Sequence, residues 1–371
     1  MSISKIALLL EHKPFELEIS KKKKLFSEAI HESFNHHLDN NDLFRNYCEN
    51  KNFQLRKVID NIEEYPYLPV KIFKNKKLIS VADEEIKLTL SSSATTGTPS
   101  QVALDSLTSK RQTIVAANVI SDYLGRHRRP FLILDEDPLE SKSRDISARA
   151  AATRGFLMLS SKPEYFLKNF EEQLHLDIKK LQKTITNYES LKQEVCIFGF
   201  TFVLYHSVIK PLKEKGIKCQ LPANSKIAHI GGWKKLESEK VSKEKFLKDT
   251  SEVFGIDKKN IFDFYGFTEQ MGLLYVSSGE MPKITPAYSE IIIRDFKTLN
   301  SVKDGEKGLI QILTPIPNSY PGISILTEDV GRIVGRGADE MGRIGTQFEI
   351  IGRANKAETR GCGDIMSEFI A

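Results

Sequence analysis

Asp263-Phe264-Tyr265-Gly266-Phe267-Thr268-Glu269-Gln270 joins an apolar aromatic run to a Gly turn, and the turn to a hydroxyl and a carboxylate. With Ile261 and Phe262 ahead of it, the stretch reads as a strand over 261–265. A strand that ends this way delivers an aromatic face, a hydroxyl and an anion to one rim. Those groups suit a purine, a phosphate and a divalent cation, which prefers oxygen ligands shared with phosphate.

Outward from this strand, apolar runs alternate with helical patterns. Residues 87–91 read as a short strand, 106–124 as a helix and 130–135 as a fully buried strand ending in the carboxylate of Asp135. The segment 163–190 reads as helical, 195–198 as a strand, 201–215 as a helix, 227–230 as a strand and 240–254 as a helix. Strands alternating with helices predict a parallel α/β sheet. After Tyr275 the character changes to short strands at 290–295, 308–313 and 324–327, separated by turns containing Pro315, Pro317, Pro321 and Gly322. The expected layout is an N-terminal helical segment over 1–85, an α/β core over 86–275, a β-rich lobe over 276–352, and a flexible tail over 353–371.

Composition narrows the class. The 371 residues are 40% hydrophobic and 28% charged, as in an ordinary globular protein large enough for two or more lobes. A net charge of +5 from 54 basic and 49 acidic residues is too thin to imply a nucleic-acid partner. The run Lys21 to Lys24 lies in a helical pattern and is expected on a solvated face, as is the His31–His37 segment, whose spacing is one residue too long for a zinc helix. Cys48, Cys196, Cys219 and Cys362 have no metal-type spacing. No apolar run approaches a membrane span, so a cytoplasmic protein is expected.

Several stretches carry candidate chemistry. Ser91-Ser92-Ser93-Ala94-Thr95-Thr96-Gly97-Thr98-Pro99-Ser100 is a hydroxyl-rich loop after a strand. Ser92, Ser93, Thr95 and Thr96 ahead of Gly97 suit a triphosphate, although the spacing is not that of a Walker loop. Gly231-Gly232-Trp233-Lys234-Lys235 follows a strand, and two glycines let backbone approach a flat ligand closely. Asp329, at a strand end beside Gly331, is placed to accept from ribose hydroxyls, and Arg353 offers a cation to ribose or phosphate. Cys362 lies between glycines and two residues from Arg360. A cationic neighbour lowers a thiol's pKa, which marks a candidate nucleophile.

Taken in order, these stretches resemble the adenylate-forming superfamily of acyl-CoA synthetases, luciferases and adenylation domains. The loop 92–100 resembles its phosphate loop. Tyr265-Gly266-Phe267-Thr268-Glu269 resembles its Y-G-x-T-E motif, and Thr327-Glu328-Asp329 its T-G-D motif. Gly352-Arg353 with Arg360-Gly361 resembles its hinge motif. The chain departs at Ala94, where the family has Gly, and at Ser100, where it has Lys, and the usual C-terminal lid with its lysine is expected to be missing from these 371 residues. Ile230 to Lys235, Gly266 to Gln270, Ser147-Ala148-Arg149 and above all Arg360-Gly361-Cys362-Gly363 are similar to the LuxE-type acyl-protein synthetases.

The resemblance implies the large N-terminal lobe of an adenylate-forming enzyme, with parallel α/β sheets plus a small β-rich lobe. It implies a ligase using ATP and Mg²⁺ that activates a carboxylic acid, expected to be a long-chain fatty acid. The acyl group would pass to Cys362 and then to an acyl reductase or another acyl-accepting protein. In this scheme Tyr265 and Gly266 lie by adenine, Thr268 holds phosphate, and Glu269 is the metal ligand. By position alone, Lys234 or Lys235 supplies the charge lost at position 100. Two alternatives stay open: an acyl-CoA ligase of the phenylacetate-CoA ligase type, and a non-catalytic subunit of a reductase or acyltransferase complex.

Overall fold

The computed structural model describes residues 3–53, 61–92, 99–137, 148–171, 173–233 and 239–354, with the backbone alone for 148–151. The chain divides into two compact units. One comprises Met1–Val119, Phe267–Leu273 and Pro282–Ala371; the other comprises Ile120–Gly266 and Leu274–Met281.

The second unit holds the α/β alternation. Its sheet runs β10 (Tyr275–Ser278), β9 (Ile261–Tyr265), β8 (Lys226–Ile230), β7 (Cys196–Phe200), β4 (Arg129–Glu136), β5 (Ser160–Phe170), β6 (Gln173–Leu176). The neighbours from β9 to β5 are parallel, and β10 and β6 flank them antiparallel. β7 and β8 are buried over nearly their whole length, as strands covered on both sides are. Helices α6 (Ala148–Leu157), α7 (Ile178–Ser190) and α10 (Lys243–Phe254) alternate with the strands. Between β7 and β8 a helical stretch is built from α8 (Thr201–Val203), a π segment over Leu204–Ile209 and α9 (Lys210–Glu214). Cys196, in an apolar stretch, is packed in this core.

The helical reading of 163–190 is corrected at its first half. Residues 160–176 form the β5–β6 hairpin and only 178–190 are helical. Pro163 lacks the N–H a helix interior needs, and β4 offers its edge, pairing Phe131 with Pro163 and Ile133 with Tyr165. Lys and Leu in the segment favour helix locally, but that pairing overrides them.

A buried carboxylate ties α10 to the stretch before it. Asp249 is 2% exposed and accepts from Tyr205 Oη at 2.8 Å, from Lys245 Nζ at 2.9 Å and from Lys213 Nζ. Burial alone would raise its pKa, but the three donors outweigh burial and hold it at about 2. A depressed carboxylate contributes stability above its unfolded pKa and loses it as pH falls through the folded one. Asp249→Asn is therefore expected to cost about 2 kcal/mol at pH 7. In urea titrations the gap between variant and parent should narrow from pH 5 to pH 2; a gap independent of pH would contradict the assignment.

The first unit combines helices with an antiparallel sheet. Its helices are α1 (Lys5–Glu11), α2 (Ile19–Asn40), α3 (Asp42–Asn50), α4 (Ile72–Asn75) and most of α5 (Ser106–Leu124), the last with the predicted bounds. The sheet runs β12 (Glu290–Arg294), β13 (Gly308–Leu313), β14 (Ser324–Ala338), β15 (Ile344–Arg353), β11 (Lys283–Ile284), and β1 (Leu68–Pro69) pairs parallel to β14. The hairpin β2 (Ile86–Ser91) and β3 (Gln101–Asp105) stands apart from it. β14 continues well beyond the predicted 324–327, so the Gly331–Gly337 stretch is strand, paired with β15 across a register shift between Ile333 and Gly335.

Two expectations about α2 are corrected. Lys22 is not on a solvated face: its side chain is 6% exposed, and its ammonium donates to Thr285 Oγ1 at 3.0 Å and pairs with Glu290 at 3.1 Å. His37 is fully buried, bonded to Ser80 Oγ at 2.8 Å and Pro317 O at 3.2 Å, and burial holds its pKa down at about 3, so it is neutral. Among the described residues no helix is long and apolar enough to cross a membrane.

Candidate active site

In the second unit, β7, β8 and β9 end side by side, with Phe200 opposite Ile230 and Ile230 opposite Phe264. Ligands of open α/β sheets gather at the carboxyl ends of the strands. Gly231 follows β8 at φ +89°, a backbone angle that favours glycine. A Cβ on Gly232 would meet nothing within 4 Å, so its face stays open to a flat ligand. Trp233 anchors the turn in the core, edge-on to Tyr205 with ring centroids 5.6 Å apart. Tyr265 ends β9 half-buried, its ring 6.1 Å from that of Tyr275 opposite it. His229 is held by the Thr201 hydroxyl at 2.9 Å, and His206 stacks on Phe202 at 4.6 Å.

In the first unit, the hairpin β2–β3 closes the hydroxyl-rich loop at its neck. Ser92 N–H donates to Ser100 O, and Ser100 N–H donates to Ser92 Oγ, each at 2.9 Å. The Ser100 side chain hydrogen-bonds the carboxylate of Glu269. Glu269 is 6% exposed, in the short turn Thr268–Gln270. Burial raises its pKa above the usual carboxylate value of 4.5, against the Ser100 hydrogen bond, a backbone N–H and the charges of Lys74 and Arg353.

The turn is clamped from below. Tyr320 Oη donates to Glu269 O at 2.9 Å, and the Gln270 amide donates to Ile312 O at 3.3 Å and to Gly322 O at 2.7 Å. Gly272 has φ +91°, and a Cβ there would stand 2.7 Å from the Gln112 carbonyl oxygen on α5. Gly272→Ala adds backbone strain to a clash with rigid helix backbone and is expected to cost about 3 kcal/mol. A thermal melt checks this; an unchanged midpoint would contradict the contact.

Asp329 lies on β14 opposite Arg353 on β15, with Arg353 Nε 3.7 Å from Asp329 Oδ1. The Asp329 N–H donates to Thr327 Oγ1 at 3.2 Å, and Thr327 in turn donates to Ile310 O. The ladder shifts register between Val330 and Gly331, and a Cβ on Gly331 would fall 2.5 Å from Glu349 O. Gly331 thus serves the strand pairing that presents Asp329.

Within the first unit, Ser92, Ser100, Thr268 and Glu269 form one group, with Asp329 and Arg353 as a second pair whose arginine acts on Glu269 electrostatically. Within the second, Gly231, Gly232 and Tyr265 share one set of strand ends. Ser93, Thr95, Thr96, Gly97, Lys234, Lys235 and Cys362 lie outside the described residues. Sequence reasoning noted Ser100 only as a missing lysine and passed over Lys74; Lys74 sits in a lysine-rich turn with no periodic signal to mark it.

A chain with this parallel α/β sheet and this order of motifs from Ser92 to Arg353 belongs with the adenylate-forming ligases. The chain superimposes on an open conformation of 2-hydroxyisobutyryl-CoA ligase in complex with 2-HIB-AMP and CoA, with a TM-score of 0.65 at 12% identity over 91% of this chain and 76% of that one. The same ligase in its thioesterification state gives 0.63 at 14% identity, over 92% and 70%. At such identities the likeness is one of fold.

The chain belongs to the LuxE acyl-protein synthetase family, which matches residues 1–371, and is therefore a ligase. It is 27% identical over 371 residues to the long-chain-fatty-acid–luciferin-component ligase of Aliivibrio fischeri, covering 98% of this chain and 93% of the relative. Its counterpart in Vibrio harveyi is 25% identical over 362 residues, covering 96% and 90%.

Proposed function

We propose that the protein activates a long-chain fatty acid with ATP and takes the acyl group onto Cys362 as a thioester, for delivery to an acyl reductase. The observation that carries this reading is the buried Glu269 carboxylate bonded to Ser100 at the neck of the hydroxyl-rich loop. The names of the bacterial relatives support the fatty acyl substrate.

In this reading the carboxylate oxygen of the acid attacks the α-phosphorus, and pyrophosphate leaves with the electron pair of the Pα–O bond. The Cys362 thiolate then attacks the acyl carbonyl carbon and AMP leaves, the thiol proton passing to solvent. Ser92, Ser93, Thr95, Thr96, Gly97 and Thr268 donate to phosphate oxygens. Gly231, Gly232, Tyr265 and Gly266 are assigned to adenine, Asp329 to the ribose hydroxyls, and Arg353 to ribose or phosphate. Lys234 and Lys235 remain the positional candidates for charge near the reacting phosphate.

The residues fit Mg²⁺. Glu269 is a buried carboxylate whose charge an adjacent cation would stabilise, and among the described residues no three His, Cys, Asp or Glu side chains form a cage. One carboxylate with substrate oxygens and waters is the usual Mg²⁺ arrangement. Bound there, the ion supplies charge neutralisation to the polyphosphate.

The test is intact-mass analysis after incubation with MgATP and fatty acids of several lengths. One hydroxylamine-labile acyl group per chain, mapped to the peptide containing Cys362 and accompanied by pyrophosphate, is expected. Absence of pyrophosphate with every acid overturns adenylation. An adduct on another residue, or acyl transfer that requires coenzyme A, overturns the role of Cys362.

A further inference from the structure

Departure of pyrophosphate needs cations around it, and Ser100 occupies the place where the resembled phosphate loop carries lysine. Ser100 is 1% exposed, and its N–H and side chain are committed to Ser92 and to Glu269. The hydroxyl-rich loop therefore has no cation at that position.

Helix α4 brings one to the same group. β1 pairs with β14, Leu68 opposite Ile325, and Val70 N–H donates to Leu326 O at 2.9 Å, so the chain leaving β1 enters α4 beside the start of β14. Two contacts fix its path. Lys71 pairs with Glu328 at 2.7 Å, and the Phe73 ring lies edge-on to Tyr320 with centroids 6.0 Å apart. Tyr320 is the residue whose hydroxyl holds the Glu269 backbone. Lys74 follows Phe73, is exposed, and has no side-chain hydrogen bond or ion pair among the described residues. Its charge acts on the Glu269 carboxylate. The neighbouring cations are engaged: Lys71 by Glu328, and Arg353 by Glu328 at 3.9 Å and Asp329 at 3.7 Å.

We propose that Lys74 binds the β- and γ-phosphates of ATP and stabilises the departing pyrophosphate, taking over the work of a phosphate-loop lysine. The inference rests on the adenylation reading above. A lysine suits the task, being a compact point charge on a flexible stem that reaches a phosphate without a preset fork geometry. As the Pα–O bond breaks, negative charge accumulates on the pyrophosphate oxygen, and the ammonium offsets it without giving up a proton.

Lys74→Gln and Lys74→Arg are compared with the parent in three measurements: pyrophosphate release with MgATP and a fatty acid, titration with magnesium pyrophosphate, and titration with AMP. In Lys74→Gln, kcat/KM for ATP should fall about 30-fold and pyrophosphate affinity about tenfold, with AMP affinity and melting temperature unchanged. Lys74→Arg should stay within about threefold of the parent. Equal loss of AMP and pyrophosphate affinity would make the residue structural, and unchanged pyrophosphate affinity would overturn the proposal. A parent that releases no pyrophosphate would sink the adenylation reading instead, while the pyrophosphate titration still decides the role of Lys74.

Discussion

Glu269→Gln is expected to leave the fold at least as stable as the parent while cutting pyrophosphate release by about a hundredfold or more. The two effects have one cause. Glu269 is 6% exposed, and burial makes its charge unfavourable enough to raise its pKa, even with Ser100, a backbone N–H, Lys74 and Arg353 opposing. An acid with a raised pKa keeps its proton longer in the folded chain than in the unfolded one. Across the interval from 4.5 upward the folded state binds more protons, so stability falls as pH rises through the folded pKa. Glutamine is nearly isosteric, carries no charge and still offers an oxygen to the Ser100 hydroxyl, so it escapes that loss. The melting temperature of Glu269→Gln should therefore match the parent near pH 4 and exceed it at pH 7.5.

The same substitution removes the anion proposed to hold Mg²⁺, and a neutral amide oxygen is a much weaker ligand for a hard cation. On the proposed function, the parent accepts an unfavourable buried charge because the site uses it, a trade seen at many active sites. A variant that melts lower at pH 7.5, or that keeps its rate of pyrophosphate release, would sink the argument.

What could be read from the sequence is what depends on neighbours along the chain. Residues 261–265 were legible as a strand because four apolar or aromatic residues, interrupted only by Asp263, end at a glycine, and 106–124 as a helix because its pattern starts and stops cleanly. The order of motifs from Ser92 to Arg353 carried the fold class, since each sits at a strand end or turn with its own local signature.

The unread parts depend on distant partners. Lys22 looked like one of four solvated lysines; its burial is decided by Thr285, 263 residues away, and by Glu290. His37 is buried by Ser80 and Pro317, and β5 is a strand because β4 accepts it. Lys74 came to notice through the pairing of Leu68 with Ile325 and the edge-on contact of Phe73 with Tyr320. No window of the sequence contains both members of either pair.

Cys362→Ser should abolish the acyl-protein adduct completely while leaving the first turnover of ATP intact. Adenylation joins the acid to the α-phosphate before any thiol is needed, so one pyrophosphate per chain should still appear. The following step needs a sulfur nucleophile. A thiol beside Arg360 ionises far more readily near neutral pH than a serine hydroxyl, and thiolate is the stronger nucleophile toward a mixed anhydride. With serine in place the acyl-adenylate has no internal acceptor, so AMP release should fall to the rate of hydrolysis or dissociation of the anhydride. The parent should release about one AMP for each acyl group it gains. Hydroxylamine added to the variant should trap the activated acid as free hydroxamate, while in the parent it should also strip acyl from protein. If Cys362→Ser still carries a hydroxylamine-labile acyl group, another residue is the acceptor. If the variant also loses the pyrophosphate burst with its melting temperature intact, Cys362 acts before the thioester step and the order of events proposed here is wrong.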